Sequence, residues 1–235
     1  MRALLKTLFA VAVIASAPVA AQEGYANTGM SLDGIGKSYM GREIAAVMGF
    51  QGAEWLDRAD RAKEEGTDKL LPLLGLMPTD VVADIGAGTG YFSFRISPLV
   101  PQGKVFAVDI QKEMLEIIDA RKTKSHITNV VTVQSSIADP LLPANSVDLM
   151  LLVDVYHEFS LPREMGQAMV RALKPGGRIA LVEYRAEDTD VPIKTVHKMT
   201  EAQARKEMAA VGLTWVSTDS KSLPWQHLMI FRKAP

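Results

Sequence analysis

The chain has no cysteine in 235 residues. Disulfide staples, thiolate metal sites, a cysteine nucleophile and a lipidated cysteine anchor are thereby excluded, and stability rests on burial alone. An excess of positive charge is also lacking. Lys and Arg number 26 against 27 Asp and Glu, a net of -1, and no stretch concentrates enough basic charge to follow a phosphate backbone. Nucleic acid is not an expected partner. At 48% apolar and 23% charged, with 17 Gly and 12 Pro, the composition is globular and not disordered, collagenous or solenoid.

Long hydrophobic runs are scarce as well. Residues 7–22 carry no charge, but this stretch of 16 falls short of the roughly 20 residues that a spanning helix needs. Arg2 and Lys6 precede it, and Val19, Ala20 and Ala21 close it with small residues. That is the pattern of a secretory signal, residues 1–21, cleaved after Ala21. A cytosol-facing membrane anchor is the alternative. The mature chain would carry 24 basic and 27 acidic residues, a net of -3. It would be periplasmic or secreted, with no stable membrane span.

What is present is alternation. After a Gly-rich stretch from Gly24 to Gly41 without sustained period, residues 22–52 are expected to form an arm or lid. Apolar positions from Ala53 to Leu74 predict a helix interrupted near Gly66. Short Val, Ile and Leu runs follow at 81–85, 105–110, 130–134, 147–155 and 178–184, continuous in the way of strands buried on both faces. Helical patterns lie between them at 91–99, 112–121, 163–174 and 201–211, the last opening on a Thr200 and Gln203 capping box and closing at Gly212. Lys174-Pro175-Gly176-Gly177 should end a helix and turn the chain. Strands at 213–217 and 227–232 are too close for a crossover helix, so the last runs antiparallel. The expected fold is α/β, a doubly wound, Rossmann-like sheet of seven mostly parallel strands with a final antiparallel strand, over residues 53–235.

Directly after the first buried strand stands DIGAGTG, Asp84 to Gly90. Glycines at 86, 88 and 90 let a ligand approach the backbone at the carboxyl end of a strand. A dinucleotide fingerprint would need glycine at 91, where Tyr91 stands, so a dehydrogenase is disfavoured. Asp84 can meet a cationic amino group while backbone N–H groups meet a carboxylate. Asp109 ends the next strand, 25 residues on, where a carboxylate can accept both ribose hydroxyls. Together the two predict a nucleoside ligand.

These residues resemble the class I S-adenosylmethionine-dependent methyltransferases. DIGAGTG is similar to their first motif, FAVDI (Phe106 to Ile110) to their ribose-binding acid, NSVDLMLLVDVYHEF (Asn145 to Phe159) to their fourth strand, and LKPGGRIALVEY (Leu173 to Tyr184) to their fifth. GREIAAVMGFQGAEWLDR, HKMTEAQ and LPWQHL resemble an exported bacterial group. The resemblance implies S-adenosyl-L-methionine as cofactor, held by Asp84, Gly86, Ala87, Gly88, Gly90, Asp109, Ile110, Ser136, Ile137 and Asp154. Ser136 stands where the family usually has an acid for the adenine amino group; its hydroxyl could substitute, or Asp139 could reach round.

Residues of the fourth strand end supply candidate catalytic groups. His157 can take a proton near pH 7 from an acceptor that arrives protonated, and Asp154 and Glu158 stand beside it in sequence. A metal held by Asp154, Glu183, His157 and His197 is conceivable, but none is expected. Tyr39, Arg42, Glu43, Tyr184, Arg185, Trp225 and His227 are candidate substrate-facing groups. The expected activity is methyl transfer to a small molecule; the alternative is a non-catalytic S-adenosylmethionine-binding or nucleoside-binding protein.

Overall fold

The computed structural model describes residues 24–29 and 31–235; the expected signal over 1–21 lies outside them. The stretch expected as an arm or lid contains an antiparallel meander of β1 (Tyr25–Asn27), β2 (Gly34–Tyr39) and β3 (Arg42–Ala45). Its second turn is tight: Tyr39 pairs with Arg42, and both intervening residues, Met40 (φ 50) and Gly41 (φ 96), take left-handed backbone. That is the two-residue hairpin geometry whose twist matches the strands.

The helix expected over 53–74 is three short ones, α1 (Ala53–Leu56), α2 (Arg61–Glu65) and α3 (Thr67–Leu73). Gly66, at φ 66, makes the expected interruption; residues 57–60 make a second that periodicity did not reveal. Next come β4 (Val81–Ile85), α4 (Tyr91–Ile96), β5 (Lys104–Asp109), α5 (Lys112–Ser125), β6 (Val130–Gln134) and β7 (Val147–Val153). The chain continues through α6 (Pro162–Ala172), β8 (Leu173–Arg185), β9 (Lys198–Met199), α7 (Glu201–Ala210), β10 (Leu213–Asp219) and β11 (Gln226–Lys233).

The large sheet has the order β10-β11-β8-β7-β4-β5-β6, with two-residue β9 added beside β8. The strands from β8 to β6 are parallel, and β11 runs antiparallel to both β8 and β10. This is the expected doubly wound sheet. Successive residues of β7 serve opposite faces: Leu149 and Leu151 pack with Ile96 and Ile118, whereas Met150 and Leu152 pack with Met169, Met208 and Phe231. Six methionines, at 150, 165, 169, 199, 208 and 229, fill the second face.

One expected turn is corrected. Helix α6 stops at Ala172, and Leu173 already pairs with Val147 while Arg178 pairs with Leu149. Residues 174–177 bulge out of a strand because Pro175 has no N–H to donate and Gly176 sits at φ 75. The Thr200 cap forms, accepting from the Gln203 N–H at 3.1 Å.

The meander is fastened to the domain by a buried ion pair. Arg42 donates from Nε and Nη2 to both Glu207 oxygens at 2.8 and 2.9 Å, and from Nη1 to the His157 carbonyl at 3.1 Å. Glu207 is fully buried, and a buried carboxylate that loses its partner is costly. Arg42→Ala should destabilise the fold by about 3–5 kcal/mol, read by urea unfolding; a loss below about 1 kcal/mol, the range of exposed pairs, would show that the pair does not hold the meander in place.

Candidate active site

The strand order reverses between β5 and β7, on either side of β4, and ligands of open α/β sheets bind beyond the carboxyl ends at such a switch point. A cavity of about 560 Å³ lies there, with Gly86, Gly88, Asp109, Asp154, His157 and Tyr184 on its wall. The loop after β4 is pinned to the end of β5. Gly86 and Ala87 both donate N–H to the Val108 carbonyl at 2.8 and 2.9 Å, and Gly88 donates to Asp109 Oδ2 at 2.8 Å. Gly86 and Gly88 take φ 71 and 54; a Cβ on the first would run into Val155 and on the second into Leu56. Gly90, at φ 82, acts in another way, its missing Cβ making room for Phe94 and Ile118. Both Gly90 and Ala87 are off the cavity wall.

Asp84 is placed differently from its expected role. Its carboxyl is buried off the wall and accepts from Ser93 Oγ at 2.6 Å, so it fixes the start of α4. Burial pushes its pKa up to about 6, with the Ser93 hydrogen bonds opposing. A cation that does stand on that wall is Arg61, which donates to Glu65 Oε2 at 2.9 Å and to the Leu56 carbonyl at 2.8 Å. Sequence reasoning missed it; the Arg61 and Glu65 pair at i,i+4 was the available signal.

Asp109 accepts at Oδ1 from the Gln111 N–H at 2.9 Å as well as from Gly88. Its carboxylate therefore ties the glycine loop to the loop after β5, and burial raises its pKa in spite of these bonds. Ile110 and Ile137, both exposed, face the cavity beyond it with Ser136. The Ser136 hydroxyl is engaged locally, accepting from the Ala138 and Asp139 N–H groups at 3.2 and 3.0 Å. Asp139 does not reach round: it is paired with Arg171 at 3.0 Å and is off the wall.

At the other end the cavity meets a cluster of titratable groups. Asp154 follows β7 at φ 50, left-handed backbone that a non-glycine residue takes at a cost. It is half-buried, with Oδ1 enclosed and unpartnered, and Gln226 Nε2 donates to Oδ2 at 3.2 Å. Burial, then the Glu183 charge, holds its pKa well above the carboxylate range. A single 3-10 turn, Tyr156–Glu158, presents His157 and Glu158. His157 Nδ1 lies 2.6 Å from Glu183 Oε2, and the Tyr156 N–H donates to Glu183 Oε1 at 2.9 Å. Burial opposes a charged His157, but the Glu183 carboxylate outweighs it and the pKa is raised. The other ring nitrogen, Nε2, lies 3.0 Å from Nδ1 of His197, whose pKa burial and the His157 charge depress. Glu158 Oε1 is 4.0 Å from His157 Nε2 and accepts from the Met48 N–H at 3.3 Å. Burial pushes Glu158 up to about 7.

Of the expected substrate-facing residues, only Tyr184 is on the wall. Tyr39 is buried in the meander and Arg42 is spent on Glu207. Arg185 donates to the carbonyls of Leu223, Pro224 and Gln226, bracing the turn before β11. His227 is buried, and Glu43, Trp225 and His227 are off the wall. The chain after β3 does reach the cavity. The Met48 carbonyl accepts from Gln111 Nε2 at 3.0 Å, and the Phe50 N–H donates to Gln111 Oε1 at 2.7 Å, so this segment spans from Glu158 to the loop after β5.

Comparison with known proteins bears on this geometry. The family profile described as "Methyltransferase domain" matches residues 77–231. An uncharacterized methyltransferase-like protein of Schizosaccharomyces pombe is 32% identical over 137 residues, 58% of this chain and 51% of its own length. A ubiquinone/menaquinone biosynthesis C-methyltransferase of Ectopseudomonas mendocina is 27% identical over 176 residues, 72% of this chain and 68% of its own. The chain thus spans about half the length of the first relative and about two thirds of the second. Among solved structures, a SAM-dependent methyltransferase from Aquifex aeolicus superposes with TM-score 0.74 at 23% identity, covering 79% of this chain and 99% of that one. A possible exported protein of Bordetella parapertussis gives 0.55 at 17%, covering 72% and 67%. At these identities the structural likeness speaks for the fold alone.

The buried Asp84 yields a sign-specific prediction. Its unfolded-state pKa is near 3.8 and its folded pKa about 6, so between these values the folded state binds more protons and stability falls as pH rises. Asp84→Asn removes that loss. Urea unfolding of variant and parent at pH 4 and pH 7 should show the difference moving in the variant's favour by up to about 3 kcal/mol; a difference independent of pH would contradict it.

Proposed function

The chain belongs to the class I S-adenosylmethionine-dependent methyltransferases, and from that premise we propose that it transfers a methyl group to a small molecule bound at the His157 end of the cavity. The observation that carries the reading is the cavity's two unlike ends, a glycine loop tied to Asp109 at one and the Asp154, His157 and Glu158 cluster at the other. The residues fit the cofactor: Gly86 and Gly88 bring bare backbone to the cavity wall where a Cβ would collide with Val155 or Leu56. Asp109 is the group for the ribose, Ile110 and Ile137 clamp a flat ring, the Ile137 N–H meets a ring nitrogen, and Arg61 suits a carboxylate. Gly90 and Asp84 support the loop from behind, and Ala87 pins it to Val108.

When bound, S-adenosylmethionine supplies a methyl group whose leaving thioether departs neutral, so the protein needs no leaving-group acid. The chain's contribution is placement. Holding reactants in line at about 3 Å is worth roughly 7–11 kcal/mol in favourable intramolecular cases, and the largely apolar cavity keeps water from the acceptor. His157, Asp154 and Glu158 are the groups that meet the acceptor, with Glu183 fixing the His157 ring. The biosynthetic C-methyltransferase among the relatives supports a small acceptor.

Calorimetry with S-adenosylhomocysteine tests the cofactor assignment. Asp109→Ala should lose most of the affinity and Asp139→Ala should keep it; equal effects would overturn the ribose role. Tritiated methyl transfer into a small-molecule extract should be seen with the parent; binding without transfer would leave the non-catalytic alternative.

We also propose an exported protein. The expected signal at residues 1–21 and the relative described as a possible exported protein support this, and no described helix is long and apolar enough to cross a membrane. Sequencing of the mature amino terminus should read from Gln22; a retained Met1 would favour the anchor.

A further inference from the structure

We propose that His157, His197 and Glu158 form a binding site for a divalent transition-metal cation of the zinc or manganese type at the acceptor end of the cavity. The inference rests on the methyltransferase reading only in calling that end the acceptor's.

The spacing suits ligands of one ion. Ligand atoms about 2.1 Å from one four-coordinate ion stand roughly 3.4 Å apart. His157 Nε2 and His197 Nδ1 are already 3.0 Å apart, and with Glu158 the three ligand atoms lie within 4.8 Å of one another. A turn of the Glu158 side chain brings its oxygen in. A simple base would aim Nε2 at the acceptor; here that atom meets a second imidazole.

What lies behind His157 matters as much. A ligating histidine donates its other ring N–H to a carboxylate, which fixes the tautomer and leaves the metal-facing nitrogen its lone pair. Glu183, fully buried, takes that position at 2.6 Å from Nδ1. The ligand set conceivable from sequence counted Glu183 as a ligand, but its oxygens are occupied by His157 and the Tyr156 N–H. His197 is delivered by a separate 3-10 turn, Thr195–His197, held beside Glu183 by the pairing of Lys198 with Tyr184.

Among the described residues none of Asp154, Glu158 and Glu183 is ion-paired with a lysine or arginine. Two imidazoles and one carboxylate suit zinc, manganese or iron rather than calcium or magnesium. The positions facing the cavity remain for a donor atom of the acceptor, which assigns acceptors bearing an oxygen, nitrogen or sulfur donor.

The test is calorimetric titration of chelator-treated protein with Zn²⁺ and, separately, Mn²⁺. The parent should bind one equivalent of at least one of them. His197→Ala should weaken that binding about 100-fold or more, beyond the range for outer-shell losses, and Glu158→Gln should weaken it in the same direction. S-adenosylhomocysteine binding, measured on the same samples, separates failure of this proposal from failure of the cofactor reading. Binding of neither cation by the parent, or binding that His197→Ala leaves unchanged, would overturn the metal site.

Discussion

The chain leaves β4 in a left-handed backbone that glycine alone takes freely, and it does so pressed against the end of β5. Two N–H groups, of Gly86 and Ala87, share the Val108 carbonyl, and a third, of Gly88, binds the Asp109 carboxylate. Because the loop is pinned in this way, Asp109 cannot move independently of the glycines, and α4 starts where Ser93 can reach Asp84. The cradle and the carboxylate beyond it are thus one rigid unit. A side chain at Gly86 would collide with Val155, which links the same unit to the end of β7, where Asp154, His157 and Glu158 begin.

The meander acts on the site from outside the sheet. Arg42 binds Glu207 of α7 and the carbonyl of His157 at once, so the fold of the first described residues and the position of the Tyr156–Glu158 turn are coupled. The segment that follows, through Met48 and Phe50, bonds to Glu158 at one end and Gln111 at the other. It spans the two halves of the cavity. Beside His157 burial resists the ionisation of Asp154 and Glu158, a perturbation of the kind that clusters at functional sites.

Much of this was legible in sequence because local rules govern it. Continuous apolar runs marked the parallel strands, the short gap after residue 217 forced an antiparallel β11, and DIGAGTG located the switch point. What was not legible depends on partners distant in the chain. Asp84 ends a strand as a ligand-binding acid would, yet Ser93 claims it. Asp139 could have faced a ring, but Arg171 draws it away. Arg42 looks like a binding arginine and is a structural one, since only the fold reveals Glu207 beside it. The meander escaped notice because its strands are short and its hairpin turn uses Met40-Gly41, outside the usual turn pairs. His197 gained its place from β9, two residues long, which no periodicity can signal.

The central claim is that one adenosyl compound spans the glycine loop, Asp109 and the Ile137 region together. Amide hydrogen exchange with and without S-adenosylhomocysteine tests it residue by residue. The account predicts added protection at 86–90, 110–111 and 136–138, with the meander turn at 40–41 unchanged. Protection confined to other segments, or none at all at saturating ligand, would contradict it.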